Sequence, residues 1–124
     1  MDAKRTEALL DVFVAAWNAH NIEGLLGCMC ANGTFYGSVG DAPRGTMSSG
    51  PEALRKTYSD IWRVYPDARW NEPNHIISGD RAVTEWIFTG TSIDGKHVEV
   101  RGCDLFQIRD GRIAVKDTYR KQII

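Results

Sequence analysis

The sequence predicts a single α+β domain in which helices come first and an antiparallel sheet follows. Between residues 2 and 62 apolar side chains recur at helical spacing, and from residue 69 onward they alternate with polar ones at the period of a strand. Three tight-turn dipeptides divide the alternating part: Gly79-Asp80, Asp94-Gly95 and Asp110-Gly111. A chain of 124 residues has room for one hydrophobic core, and no repeat or change of composition marks a second, so residues 1–124 are assigned to one domain.

Helical spacing and local start signals place three helices in the first half of the chain. The first carries an apolar stripe that runs from Leu9 to Trp17, and Asn18-Ala19-His20-Asn21 interrupts it. The third opens at Ser49-Gly50-Pro51-Glu52, because proline is favoured in a first turn, and it stops before Pro66. The glycine-rich stretch before it, residues 37–50, is expected to be a loop bordering a pocket mouth. The first helix is predicted at 2–20 and the second at 22–30, and a short strand is predicted at 34–36.

Four strands are predicted in the second half, and the last turn sets the register of the last two. A two-residue turn at Asp110-Gly111 places Ile108 opposite Ile113 and Asp104 opposite Asp117. Alternation then puts both carboxylates on the most apolar face of the hairpin. Similar turns at the other two dipeptides would extend the pair to one polar row: Asn74, Glu85, Asp104 and Asp117. The predicted strands span about 69–77, 81–91, 96–109 and 112–121.

Two facing carboxylates on an apolar surface have a specific chemical consequence. Like charges opposite each other destabilise a sheet, and burial adds to that cost, unless the pair shares a proton or a cation compensates. A shared proton would leave one carboxyl group as acid and the other as base near neutral pH, which suits proton transfer beside a carbonyl. The structural alternative is a pair of carboxylates held by nearby cations, of which Lys121 would share their face while Arg101, Lys116 and Arg120 would mostly alternate to the other.

Composition narrows the classes of partner. With 15 Lys and Arg against 16 Asp and Glu, the formal net charge is −1, and no basic stripe is present. Nucleic acid and anionic membrane surfaces are therefore not expected as partners. No apolar run approaches a membrane span and no signal-peptide core follows Met1, so a cytoplasmic location is expected. Cys28, Cys30 and Cys103 lack metal-site spacing and are expected to be free thiols; neither a metal nor a cofactor is predicted.

Three stretches form a recognisable set: Trp17-Asn18-Ala19-His20-Asn21, Gly50-Pro51-Glu52-Ala53-Leu54 and the hairpin Val98–Tyr119, with Val98–Phe106 followed by Arg109-Asp110-Gly111-Arg112-Ile113. They resemble the SnoaL-like polyketide cyclase branch of the NTF2-like superfamily, over nearly the whole chain. The resemblance implies an NTF2-like cone, in which three helices pack on a curved, mainly antiparallel sheet around a deep pocket, often as a homodimer. The superfamily includes isomerases, cyclases, dehydratases, epoxide hydrolases and non-catalytic proteins.

The resemblance also implies roles for single residues. In ketosteroid isomerases the strand leading into this hairpin bears a protonated aspartic acid that donates a hydrogen bond to the substrate oxyanion, and Asp104 matches it. Their general-base aspartate would fall at Gly37, so the same mechanism is not expected. In the cyclases an acidic residue on the last strand serves as acid and base, and Asp117 is the nearest match.

The sequence thus predicts a cofactor-independent proton-transfer enzyme, of the cyclase, isomerase or dehydratase type, acting on a small apolar oxygenated molecule. The alternative is a non-catalytic small-molecule-binding or dimerisation module of the same fold. A homodimer is expected, through a face opposite the pocket that is assigned Trp86, Phe88 and Leu105. The candidate catalytic residues are Asp104, Asp117, Tyr36 and Glu85. The candidate substrate-binding residues are Phe13, Trp17, Tyr58, Trp62, Phe106 and Tyr119.

Overall fold

Three helices pack on a six-stranded, curved, open sheet, in a computed structural model that describes residues 2–124. The arrangement confirms the predicted α+β class. We call the sheet face that the helices cover the concave face, and the other the convex face. In chain order the elements are α1 (Ala3–Asn18), α2 (Ile22–Cys28), β1 (Met29–Tyr36), β2 (Met47–Ser49), α3 (Pro51–Val64), β3 (Arg69–Ser78), β4 (Arg81–Thr91), β5 (His97–Arg109) and β6 (Arg112–Arg120).

Each helix begins at a residue suited to that position. The Asp2 side chain accepts a hydrogen bond from the backbone N–H of Arg5 at 2.9 Å, and Asn21 caps α2 in the same way at 3.0 Å. Before α3 the backbone of Gly50 has a φ of +85°, a conformation that favours glycine, and Pro51 follows in the first turn. These starts direct the apolar faces of α1 and α3 onto the concave face of the sheet.

The sheet is mixed, with strand order β2-β1-β6-β5-β4-β3, and its single parallel pair is β1 with β6. The predicted strand 34–36 is longer than expected, because β1 already begins at Met29 and includes Asn32-Gly33, where its register with β6 shifts. The loop predicted at 37–50 contains a short edge strand, β2. Because β1 pairs with one side of β6 and β5 with the other, β6 is a central strand. Its side chains reach the middle of the concave face.

A β-bulge in the last hairpin overturns the predicted facing of Asp104 and Asp117. Ile108 faces Ile113 as predicted, but Ala114 is then an extra residue on β6. The shift by one residue sends Asp117 to the convex face, whereas Asp104 remains on the concave face. Beyond the bulge the facing pairs are Gln107 with Val115, Leu105 with Asp117, and Asp104 with Thr118.

The turn at Asp94-Gly95 also differs from the prediction. A loop of residues 92–96 joins β4 to β5, closed by a 2.8 Å hydrogen bond from Ser92 N–H to Lys96 C=O. Glu85 therefore faces Cys103 instead of Asp104. The Gly79-Asp80 turn is as predicted, so that Glu85 does face Asn74, whose amide donates to its carboxylate at 3.0 Å. The predicted polar row is correct only for this pair, which lies on the convex face.

The same error of register misplaced two large aromatic residues. Trp86 and Phe88, assigned to a dimer face opposite the pocket, lie on the concave face and are only 4% and 1% exposed. They pack with Ala68 and Val100 in a cluster beside the main core. Leu105 does lie on the convex face, opposite Asp117. Among residues 2–124, no helix is long and apolar enough to cross a membrane.

Candidate functional site

A cavity of about 330 Å³ opens between α3, residues of the 37–46 loop and the concave face of the sheet. Its walls are largely aromatic, a composition typical of small-molecule sites. The aromatic residues that line it are Trp17, Phe35, Tyr65, Trp70, Trp86 and Phe88. The polar and charged residues that line it are Ser38, Thr46, Thr57, Asp60, Lys116, Thr118 and Arg120.

A buried ion pair adjoins this cavity: Lys116 lines the cavity, and Asp104 lies behind it, outside the lining. Lys116 Nζ is 3.1 Å from Asp104 Oδ1, and the two side chains are 6% and 8% exposed. The ammonium also donates to Thr118 Oγ1 at 2.8 Å, and that hydroxyl donates in turn to Asp104 Oδ1 at 2.6 Å. The indole N–H of Trp86 donates to the other carboxylate oxygen, Oδ2, at 3.0 Å. Four side chains thus form one closed hydrogen-bonded network.

The hydrogen bonds of this network engage both oxygens of Asp104. Oδ1 accepts from the Thr118 hydroxyl and Oδ2 from the Trp86 indole N–H, so Asp104 acts as an acceptor here, whereas the resemblance implied a donor. The ammonium group of Lys116, which has three hydrogens, donates to Thr118 and pairs with Asp104. The group with a donor left over is the lysine.

Aromatic rings surround the ammonium group of Lys116. Its Nζ lies 4.5 Å from the centre of the Phe35 ring, 5.2 Å from that of Trp17 and 5.9 Å from that of Tyr58. These are cation–π distances, and such contacts attract an ammonium group to the faces of the surrounding rings. Burial, and secondarily the negative charge of Asp104, raises the pKa of Tyr58 well above its ordinary value, so the phenol keeps its proton.

The bulge at Ala114 explains why sequence reasoning missed Lys116, Thr118 and Arg120. Without it these side chains would face the convex side; with it they line the cavity. A signal was present in the sequence, since Ile113-Ala114-Val115 is an unbroken apolar run within a strand that otherwise alternates. Trp86 was missed for a different reason, the length of the 92–96 loop.

Of the four candidate catalytic residues, Asp104 alone belongs to this network. Glu85 and Asp117 line a second, open groove of about 560 Å³ on the convex side, bordered by residues of the loop 37–45. Tyr36 faces Asp117 across the parallel pair, and the guanidinium of Arg44 lies 4.0 Å from the centre of its ring. These three side chains are therefore separated from Asp104 by the sheet.

The candidate substrate-binding residues also divide. Trp17 lines the cavity, and its indole N–H is buried without a hydrogen-bond partner among the described residues. Trp62 packs beside it and donates to its carbonyl oxygen at 3.2 Å. Tyr119 is 56% exposed and borders the convex groove. Phe13, Tyr58 and Phe106 lie in the main buried core.

The convex groove holds one perturbed thiol. Burial raises the pKa of Cys103, and the negative charges of Asp104, Glu85 and Asp117 raise it further. All three cysteines are free thiols. Over residues 2–124, no group of three or more His, Cys, Asp or Glu side chains is arranged to hold a metal ion.

A family model described as "SnoaL-like domain" matches residues 10–116. The chain belongs to the SnoaL-like family. This confirms the resemblance inferred from the sequence. The comparison with curated proteins gave no significant match.

Solved structures extend the likeness of this SnoaL-like domain to nearly the whole chain. An NTF2-like protein of unknown function from Mesorhizobium loti is 26% identical, with a TM-score of 0.79 over 97% of this chain and 93% of the other. TerC, co-crystallised with polyporic acid, is 19% identical, with a TM-score of 0.82 over 94% and 92%. A putative polyketide cyclase from Xanthomonas campestris pv. campestris is 17% identical, with a TM-score of 0.81 over 94% and 90%. The SnoaL-like domain therefore has the NTF2-like fold that the sequence predicted.

Proposed function

We propose that this SnoaL-like domain is a cofactor-independent proton-transfer enzyme, of the isomerase, cyclase or dehydratase type, that acts on a small oxygenated molecule in the concave cavity. The observation that carries the proposal is the buried Lys116–Asp104 ion pair, whose lysine lines an aromatic cavity. A charged pair that is nine-tenths buried costs desolvation energy, and such groups cluster at functional sites.

In the proposed reaction Lys116 is the acid and Asp104 the base. The third N–H of Lys116 would bind the carbonyl oxygen of a ketone, and Asp104 would accept the proton that leaves the adjacent carbon. Acid and base must lie side by side for this, because oxygen and reacting carbon are two bonds apart, and the 3.1 Å between Nζ and Oδ1 meets that condition. Thr118 bridges the two groups and holds their geometry.

Two observations support a small organic ligand. The cavity combines aromatic walls with polar and charged side chains that could orient a ligand, as small-molecule sites do. TerC, which has the same fold, was crystallised with an organic acid. Tyr36, Glu85 and Asp117 have no part in the proposed reaction, because they lie on the convex side.

Proton transfer can be measured without knowing the natural substrate. We would follow deuterium incorporation at the α-carbon of 2-tetralone, an apolar enolisable ketone, by NMR in D2O. The protein should accelerate exchange, and Asp104→Asn or Lys116→Met should lower the catalysed rate about a hundredfold or more, the usual loss of a proton-transfer group. Asp117→Asn and Glu85→Gln are matched controls from the convex groove and should retain the rate. Circular dichroism of each variant would separate lost chemistry from lost fold.

A non-catalytic binding module is the second candidate, and one observation favours it. The carboxylate of Asp104 already accepts hydrogen bonds from Thr118 and Trp86 and pairs with Lys116, so one of these contacts would have to be given up before Asp104 could take a proton from a ligand. If 2-tetralone shifts resonances of cavity residues but its exchange is no faster than in buffer, the enzyme proposal fails and the binding module stands.

We also propose that the protein is a homodimer, through the convex face. Because Trp86 and Phe88 lie on the concave face, smaller apolar residues would form the dimer interface. Ile76, which is 54% exposed, faces Val83, which faces Leu105 in turn, so the three form an apolar row across the convex face. Sedimentation velocity at micromolar concentration should give a dimer that Ile76→Lys dissociates; a stable monomer would contradict the proposal.

A further inference from the structure

Three donor side chains form a row along β6 on the concave face. Lys116, Thr118 and Arg120 alternate with convex residues and all line the cavity. Since a strand rises about 3.3 Å per residue, the row runs for about 13 Å, from the buried Lys116 to the partly exposed Arg120. Each member presents N–H or O–H donors, and neither cation at its ends is itself an acceptor.

The two cations of the row differ in how their charge is balanced. Lys116 is neutralised by Asp104. Within residues 2–124, by contrast, no carboxylate lies within 4.0 Å of the Arg120 guanidinium. The acidic residue that lines the cavity, Asp60, is held by Lys56 at 3.2 Å and Arg63 at 2.7 Å. The lining of the cavity therefore has a positive charge at Arg120 that no carboxylate of residues 2–124 pairs with.

Arg120 is also positioned for a flat ligand. Its guanidinium carbon lies 4.9 Å from the centre of the Phe88 ring, so the charge is fixed over the aromatic wall rather than extended into solvent. Trp70 packs edge-on against the same Phe88 ring, at 5.2 Å between centres, and Trp86 continues the wall toward Asp104. A guanidinium in such a position binds a carboxylate through paired hydrogen bonds.

We propose that the ligand is a planar aromatic molecule with acceptors at both ends, an anionic carboxylate at Arg120 and a carbonyl or enol oxygen at Lys116. The proposal deepens the proposed function and rests on it for the identity of the cavity. It adds a specificity role for Arg120, a residue outside the proton-transfer pair. The donors of the row select oxygen acceptors, and the aromatic wall selects the flat body between them.

The test compares two probes that differ only in charge, 6-hydroxy-2-naphthoate and its carboxamide. Dissociation constants come from isothermal titration calorimetry with the unaltered protein, Arg120→Gln and Arg101→Gln. Arg101 is an exposed arginine on the convex side and controls for the loss of one positive charge. The unaltered protein and Arg101→Gln should bind the acid at least about tenfold more tightly than the amide, since hydrogen bonds between two charged groups are stronger than those to a neutral amide. Arg120→Gln should bind both equally.

Each other result overturns the proposal. Equal binding of acid and amide to the unaltered protein would show that no anion site exists, and an equal effect of the two arginine variants would show a general charge effect. Failure of both probes to bind would show that the cavity does not accept this ligand class. The exchange of 2-tetralone by the unaltered protein tests the proposed function separately, because that ketone has no carboxylate.

Discussion

The ammonium of Lys116 lies 3.1 Å from Oδ1 of Asp104, at a place where neither side chain is more than 8% exposed. Removal of one partner leaves the other charge buried without compensation. We therefore expect Lys116→Met to lower the free energy of unfolding by about 3–5 kcal/mol. Urea denaturation near pH 7, followed by tryptophan fluorescence, would measure the change.

A double-mutant cycle provides the control for that prediction. Because the double variant Asp104→Asn with Lys116→Met buries no charge, its cost should be clearly less than the sum of the two single costs. Asp117→Asn, on the convex face, should change the free energy of unfolding by no more than about 0.5 kcal/mol. If the stability cost of the double variant equalled the sum of the two single costs, Lys116 and Asp104 would not be a coupled pair. A large stability cost of Asp117→Asn would contradict the bulged register.

The hydroxyl of Thr118 accepts from Lys116 and donates to Asp104. Thr118→Val keeps the shape of the side chain but leaves an acceptor and a donor of the network unpaired. We expect it to destabilise the protein by about 1–3 kcal/mol and to reduce 2-tetralone exchange. Thr118→Ser, which keeps the hydroxyl, should retain most of both. Equal effects of the two substitutions would mean that packing of the methyl group, and not the hydrogen bonds, matters at this position.

Because Gly102 has no side chain, the indole of Trp86 occupies the space beside it. A Cβ atom at this position would lie 2.4 Å from Trp86 Cη2 and 2.6 Å from the carbonyl oxygen of Tyr119. Gly102→Ala should therefore displace Trp86, break its hydrogen bond to Asp104, and destabilise the protein by about 1–3 kcal/mol, the usual cost of overpacking. Thermal unfolding would measure this.

Gly27 in α2 is the matched control, since a Cβ there meets nothing within 4 Å. Gly27→Ala should leave stability unchanged or raise it by up to about 1 kcal/mol, because alanine favours a helix. If Gly102→Ala were as stable as Gly27→Ala, the sheet would accommodate the added methyl group. The position of Trp86 would then not depend on the missing side chain of Gly102.

The pKa of Cys103 gives a prediction about pH. Burial raises it, and the negative charges of Asp104, Glu85 and Asp117 oppose formation of a thiolate beside them. Asp117→Asn or Glu85→Gln should therefore lower this pKa, so that alkylation by iodoacetamide sets in at lower pH. Mass spectrometry of the labelled peptides would follow Cys103 separately from Cys28 and Cys30. An unchanged pH profile in both variants would mean that the carboxylates do not act on the thiol.

Local patterns in the sequence were enough for the class of fold. The stripe from Leu9 to Trp17 and the alternation after residue 69 predicted the helices and strands, and the two-residue turns at Gly79-Asp80 and Asp110-Gly111 formed as expected. These features depend on neighbouring residues alone, because helical and strand periodicity and turn conformation are set within a few positions of the chain. The motifs of the hairpin likewise predicted the family.

The composition of the site depended on the tertiary structure. Ala114 is a bulge residue of β6, which lies between β1 and β5, and neither the parallel neighbour of β6 nor the shift of register is encoded by a turn. One extra residue exchanges the faces of every side chain beyond it. The sequence by itself therefore determined that Asp104 lies on the concave face of an NTF2-like sheet. The tertiary structure decided that its partner is Lys116 and not Asp117, and so made the site an ion pair instead of a pair of carboxylates.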